Sequence, residues 1–329
     1  VSAPADWRPR ATAERLRARA ALLARTRAFF AARDVLEVDT PLLVNAPVSD
    51  LHLHSATVHL SAQMPGGVPP VLYLHTSPEY AMKRLLAAGS GDIYQICHVV
   101  RGFEAGRLHN PEFVLIEWYR LGFCLNALMD EVEALVRSLL GEAAAARRCE
   151  RVSYREAFGR TLGLDPLSAS DAALAAAARP LAFAGDAAQL GRDGLLELLM
   201  GALVGPQLGR NALTFVHGYP KGQAALARLD PADPRTAERF ELYGDGIELA
   251  NGFHELADAA QQRERFGEDN AARARAGLPV VACDERLLAA LAAGLPDCAG
   301  VAVGFERVLM LATGARHIDE VLAFPTARA

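Results

Sequence analysis

Phe240-Glu-Leu-Tyr-Gly-Asp-Gly-Ile-Glu-Leu249 reads as two short strands joined by a tight turn. A two-residue turn at Gly244-Asp245, with glycine at its first position, is predicted. That register pairs Tyr243 with Gly246, Leu242 with Ile247 and Glu241 with Glu248. Two carboxylates would then face each other across the strands, which destabilises a sheet unless something compensates. One compensation is a hard divalent cation, because magnesium takes carboxylate and phosphate oxygens. The other is water, with both side chains splayed into solvent. The segment by itself leaves the two readings open.

The sequence on either side extends this hairpin into a sheet. Residues 213–256 read as strands, residues 256–276 as a charged helix and residues 299–313 as strand, glycine, helix. Near the N-terminus, residues 11–33 form an amphipathic pattern. Leu16, Leu23 and Phe30 recur every seven residues, with Leu22 and Phe29 beside them. A short strand follows over residues 35–41 and ends at Pro41. Residues 51–75 alternate like strands around a Pro/Gly loop at residues 65–70. Residues 77–88 and 125–140 are predicted helices, and residues 95–100 and 113–120 two strands joined by a polar loop. Residues 141–210 are rich in Ala and Leu, with breaks at Asp165-Pro166 and Gly185-Asp186. They read as a helical insertion. The expected fold class is α+β, a mixed, mainly antiparallel sheet flanked by helices.

The chain has 329 residues and a net charge of −5. That length suits one large catalytic domain. No apolar run is long enough to span a bilayer, and residues 1–7 lack a signal-peptide core. A cytoplasmic protein with no membrane partner is expected. Five cysteines occur without a C-x-x-C pair, which reads as reduced thiols and not a zinc or disulfide framework. A general nucleic-acid binder would carry a basic excess; this chain carries none. Its basic residues are almost all arginine, the only lysines being Lys83 and Lys221.

Two further segments carry chemistry. Arg101 ends a strand, and after a loop containing Arg107, His109 and Asn110 the chain returns as Phe113-Val-Leu-Ile-Glu-Trp-Tyr-Arg120. Alternation puts Phe113, Leu115, Glu117 and Tyr119 on one face. Those residues suit a stacked purine and a held cation, and equally an amphipathic strand whose Glu meets solvent. Gly300-Val-Ala-Val-Gly304-Phe-Glu-Arg307 leads into a helix. There Gly304 permits close backbone approach, and Arg307 sits in the first turn, where the helix dipole favours an anion.

In this order the three segments resemble the signature motifs of class II aminoacyl-tRNA synthetases. The helix running into Pro41 resembles motif one, the dimer-forming element. Arg101 with His109-Asn-Pro-Glu-Phe113 resembles motif two, and Gly304-Phe-Glu-Arg307 motif three. Thr76-Ser-Pro-Glu79 with Met82-Lys-Arg-Leu85, and Glu248-Leu-Ala-Asn-Gly-Phe-His-Glu-Leu256, are similar to the lysyl-tRNA synthetase branch. The resemblance runs from about residue 11 to the end. Glu117-Trp-Tyr-Arg120, Pro296-Asp-Cys298 and Met310-Leu resemble the paralogues of that branch that attach β-lysine to elongation factor P.

The resemblance implies ATP and Mg²⁺ as cofactors, a lysine-like substrate, elongation factor P as acceptor protein and a homodimer. Arg101 would be catalytic, gripping the α-phosphate. Gly102, Phe103, His109, Asn110, Phe113, Glu248, Leu249, Gly304 and Arg307 would join it around ATP, with Glu241 and Glu248 on magnesium. Ser77, Pro78, Glu79, Glu117, Tyr119, Asn251, Glu255 and Ala302 would surround the amino acid. Glu79 would take an amino group, and Tyr119 with Glu255 the distal ammonium.

Three departures from the family pattern refine these expectations. About ten residues precede the first helix, too few for the anticodon-binding barrel of lysyl-tRNA synthetases. The chain is therefore expected to be a single catalytic domain over residues 1–329, and tRNA is not expected as a partner. Ala302 stands where this branch usually has glycine. Motif two reads Arg101-Gly-Phe103 and then Glu104 where the family has Arg-Asn-Glu. The other readings are a synthetase that charges tRNA without an anticodon domain, and a regulatory paralogue with impaired catalysis.

Overall fold

The computed structural model of the protein describes residues 7–60, 71–102, 104–145, 147–181 and 190–329. Phe103, the Pro/Gly loop at residues 65–70 and the Gly185-Asp186 break lie outside the described residues. The chain begins with α1 (Ala13–Ala31), then β1 (Leu36–Glu37), β2 (Leu43–Val44), β3 (Thr57–His59) and β4 (Val71–Leu74). Next come α2 (Glu79–Ala87), β5 (Ile93–Val100), β6 (Glu112–Leu121) and α3 (Leu125–Leu140). Residues 141–210 hold α4 (Glu142–Ala145), β7 (Arg148–Ser153), α5 (Tyr154–Leu162), α6 (Asp171–Ala178) and α7 (Gly191–Leu199). The remainder is β8 (Ala212–Pro220), β9 (Thr236–Gly244), β10 (Ile247–His254), α8 (Ala259–Arg275), α9 (Glu285–Gly294), β11 (Cys298–Gly304) and α10 (Phe305–Thr313).

Eight strands form one sheet in the order β1-β5-β6-β11-β10-β9-β8-β7. The pairs at its two ends, β1–β5 and β7–β8, are parallel, and every pair between them is antiparallel. A separate small sheet has the order β2-β4-β3. The architecture is α+β, as expected. One face of the large sheet is apolar, and α1, α3 and α10 pack on it through Phe30, Tyr94, Ile116, Trp118, Leu135, Val301 and Leu309. This face is a consequence of helix periodicity: Leu128, Val132, Leu135, Val136 and Leu139 form one buried stripe of α3. The stripe of α1 is Leu22, Thr26, Phe29 and Phe30; Leu16 and Leu23 are only half-buried. Among the described residues no helix is long and apolar enough to cross a membrane.

Three expectations are corrected. The hairpin turn is Asp245-Gly246, one residue later than predicted, with φ of 49° and 74°. A type I′ turn needs positive φ at both central residues, which Asp-Gly supplies. Gly244 therefore pairs with Ile247 and Tyr243 with Glu248, and a bulge between Glu248 and Ala250 sets Glu241 opposite Asn251. Arg147 fixes the turn by donating to both carboxylate oxygens of Asp245 at 2.9 and 2.7 Å. Second, residues 141–210 are not purely helical, because β7 pairs with β8 at the sheet edge. Third, residues 51–53 form a loop and not a strand. The Asp50 side chain accepts from the His52 amide at 2.7 Å, and Arg273 donates to the Asp50 carbonyl at 3.1 Å. These bonds commit the local backbone to a turn.

Candidate active site

The face of the sheet opposite the helices carries polar residues in two adjoining rows. Strand register places Glu117, Ala302, Asn251 and Glu241 side by side on β6, β11, β10 and β9. The next row, two residues along, is Tyr119, Gly300, Phe253 and Arg239. All eight line a cavity of about 1160 Å³. Its walls include the N-terminal end of α2, the loop at residues 43–55, the α7 residues Asp193 and Glu197, and α8.

One end of the cavity is a buried acidic pocket. Glu117 accepts from the Ser77 hydroxyl and the Tyr119 hydroxyl, each at 2.8 Å. Burial, then the nearby Glu79, pushes its carboxyl up to about 8. Burial likewise pushes Glu255 up to about 7, with Lys83 opposing the shift. The Lys83 ammonium lies 2.7 Å from Glu79 and 2.6 Å from Glu255. Burial opposes its charge, but these two carboxylates outweigh that and hold it above the ordinary lysine value. Gly300 is obligatory here. A Cβ at that position would meet the Tyr119 ring at 2.3 Å and a Glu255 oxygen at 2.7 Å. The same contacts put Tyr119 and Glu255 on either side of one point.

Arg101, His109, Glu248 and Arg307 line the other end. Arg101 donates to the Thr76 carbonyl at 3.3 Å, its guanidinium lies 5.1 Å from the Phe113 ring centre, and Glu104 is 3.9 Å away. Arg307 donates to the Glu248 carbonyl at 3.0 Å and to Nε2 of His109 at 2.8 Å. Burial and Arg307 keep His109 below the usual imidazole value, which suits an acceptor nitrogen. Glu306, in the first turn of α10, is buried on the apolar side. It accepts from the Val114 amide at 2.9 Å and from Arg19 at 2.7 Å, tying α1 and β6 to α10.

Glu241 and Glu248 lie on one face and both line the cavity. Glu241 accepts from Arg239 at 2.5 Å and from the Tyr243 hydroxyl at 2.6 Å. Its carboxyl is raised by burial and then by Glu248, with Arg239 opposing. Magnesium keeps several waters and uses one or two carboxylates plus phosphate oxygens, so this donor pair fits it. Among the described residues no group of three or more His, Cys, Asp or Glu forms a cage of protein ligands.

Of the expected site residues, Ser77, Pro78, Glu79, Glu117, Tyr119, Asn251, Glu255 and Ala302 all line the cavity. Gly102, Asn110, Phe113, Leu249 and Gly304 do not, though Phe113 sits against Arg101. The Asn110 amide donates to the Glu112 carbonyl at 2.6 Å and accepts from the Thr326 amide at 3.1 Å, so it ties the C-terminal segment to this loop. Lys83, Arg239 and Gly300 are site residues that the sequence reading passed over. A lysine retained in an arginine-dominated chain was the one available signal.

The family profile of the class II tRNA synthetases (D, K and N) matches residues 4–328. An elongation factor P–(R)-β-lysine ligase of Vibrio cholerae is 49% identical over 326 residues, 98% of this chain and 99% of that protein. One from Salmonella dublin is 47% identical over 331 residues, covering 100% of both. With its mainly antiparallel sheet, its arginine-ended strand β5 and its strand–glycine–helix at Gly304, the chain belongs to the class II tRNA synthetases of the D, K and N group.

Proposed function

We propose that the protein is an ATP-dependent ligase that activates (R)-β-lysine as an aminoacyl adenylate and transfers the acyl group to a lysine side chain of elongation factor P. The carrying observation is the charge of the amine pocket. Glu79, Glu117 and Glu255 surround it with Lys83 as their cation. Three carboxylates and one ammonium leave two negative charges when all are ionised. A buried surplus of that size is costly unless a ligand neutralises it, and a substrate with two ammonium groups does so. The names of the relatives agree with this substrate and acceptor, and no residue pattern favours the tRNA-charging or non-catalytic readings.

In the first step a substrate carboxylate oxygen attacks the α-phosphorus, and the bond to the β-phosphate oxygen breaks to release pyrophosphate. Arg101 stabilises the charge that builds on the α-phosphate oxygens, where positioning and electrostatics do most of the work. Phe113 and Arg307 flank the adenine. Magnesium, when bound by Glu241, Glu248 and phosphate oxygens, supplies countercharge to the leaving pyrophosphate. In the second step the neutral acceptor amine attacks the adenylate carbonyl, the bond to AMP breaks, and the amide nitrogen loses a proton.

Pyrophosphate exchange dependent on each lysine isomer tests the substrate reading. Exchange with (R)-β-lysine above α-lysine is expected; exchange with neither contradicts it. The pocket also sets a pH dependence. Glu255 and Glu117, raised to about 7 and 8 by burial, hold protons below those values. The two ammonium groups of the substrate bind their ionised forms, so the KM for amino acid should rise as pH falls from 8.5 to 6. A flat profile would contradict this charge assignment. Magnesium gives a second check. Glu241→Gln and Glu248→Gln each remove charge from the cation site and should raise the magnesium concentration needed for exchange; unchanged dependence in both would remove that site.

The homodimer is part of the same proposal. Leu36, Leu42 and Leu43, around the motif-one strand, are 55%, 40% and 41% exposed. Apolar side chains clustered there suit a two-fold interface. Light scattering at micromolar concentration should give twice the chain mass; a monomer would contradict it.

A further inference from the structure

Lys83 is 1% exposed and does not line the cavity, yet both carboxylates that grip it do. Glu79 lies one helical turn away on α2, and Glu255 follows β10. Met82, the chain neighbour of Lys83, and Leu86, also on α2, belong to a buried apolar cluster with Leu287, Leu288 and Leu291 of α9. A buried ion pair in such a place is often no more stabilising than a well-packed apolar side chain, so packing alone does not account for a lysine. Its ammonium reaches two carboxylates from separate elements at once, Glu79 of α2 and Glu255 after β10. Also facing the pocket are Glu117 and Tyr119 of β6, and Gln262 of α8, whose buried amide nitrogen has no hydrogen-bond partner among the described residues.

We propose that Lys83 is a positioning residue for amino-acid recognition: it fixes Glu79 and Glu255 and sets the net negative charge that a substrate with two ammonium groups neutralises. This rests on the substrate reading above. Without Lys83, three carboxylates share a dry pocket, Glu255 takes up a proton and leaves its position, and the amino acid loses a partner. The nucleotide end, held by Arg101, His109 and Arg307, is untouched.

The test is steady-state pyrophosphate exchange by Lys83→Met and Lys83→Gln, with Glu255→Gln and the double variants beside them, after thermal melting has identified which variants fold. Lys83→Met should raise the KM for amino acid roughly 100-fold, as expected for truncating one member of a buried charge pair. The KM for ATP should stay within about twofold, and adding Glu255→Gln should cost little more than Glu255→Gln alone. Lys83→Gln carries the same reading if the methionine variant does not fold. If neither single variant folds, restored melting in a double variant with Glu255→Gln supports the pairing, and no restoration overturns it. An unmoved KM for amino acid, a parallel rise in both KM values, or effects that multiply in the double variant would also overturn it. Wild-type protein that exchanges with no lysine isomer removes the substrate reading and this role with it. Wild type that exchanges, with unsplit KM values in the variants, removes only the role of Lys83.

Discussion

Arg101→Ala should lower amino-acid-dependent pyrophosphate exchange by roughly 10²- to 10³-fold, the usual cost of removing one preorganised donor from a developing charge. The residue is held from several sides. Its backbone amide donates to the Pro111 carbonyl at 2.9 Å, its side chain to the Thr76 carbonyl at 3.3 Å, and its guanidinium rests against Phe113. On the proposed mechanism it would meet the α-phosphate with little reorganisation, between the acidic pocket and Arg307. The loss should fall mainly on kcat, because the interaction strengthens as charge builds on the phosphate oxygens. A loss of less than tenfold, or one confined to the KM for ATP, would assign Arg101 to nucleotide binding alone.

The second large effect concerns substrate choice. Ala302 sits on the pocket floor between Glu117 and Asn251, with Glu79 on the adjoining wall. On the proposed substrate reading, its methyl would lie beside the amino group near the reacting carboxylate. In a β-amino acid that group is one carbon further away. A single methyl usually changes discrimination by about 1 to 3 kcal/mol. Ala302→Gly should thus improve activation of α-lysine relative to β-lysine by roughly one to two orders of magnitude, without abolishing the latter. Pyrophosphate exchange with both isomers reads the ratio directly. A wild type that already prefers α-lysine, or a ratio unmoved in the variant, would separate Ala302 from isomer choice.

Much of the fold was legible because its elements carry strong local signals. The stripe of α3 is purely periodic, and residues 125–140 read correctly as its span. The strand–glycine–helix at Gly304 was equally plain. The edge strand β7 was not, since only Val152 among its residues is buried. Its outward Arg148, Glu150 and Arg151 suit an edge that resists further pairing and leave no apolar alternation to read. The helix α9 was passed over, although Asp284 caps it by accepting from the Arg286 and Leu287 amides at 2.9 and 3.0 Å. Leu287, Leu288 and Leu291 mark its buried face.

The site divided along similar lines. Strand alternation correctly grouped Glu117 and Tyr119 on one face, because that property depends only on the pleat. The pairing of Glu241 did not follow from alternation: the later turn moved its partner from Glu248 to Ala250, and the bulge moved it once more to Asn251. Arg239 and Gly300 matter through contacts between strands distant in sequence. Arg239 lies 4.4 Å over the Tyr219 ring and donates to Asn251 at 3.1 Å and to the Gln223 carbonyl at 2.6 Å. Neither residue's own neighbours in sequence mark it. Asn110 shows the converse, a motif residue whose amide bonds also tie down the chain terminus.

The central claim is tested most directly by the intact mass of elongation factor P after incubation with the enzyme, ATP, magnesium and each lysine isomer in turn. A single added lysyl residue, on a lysine side chain and fastest with (R)-β-lysine, is the expected result. Unmodified elongation factor P with every isomer, under conditions where the enzyme still exchanges pyrophosphate, would contradict it.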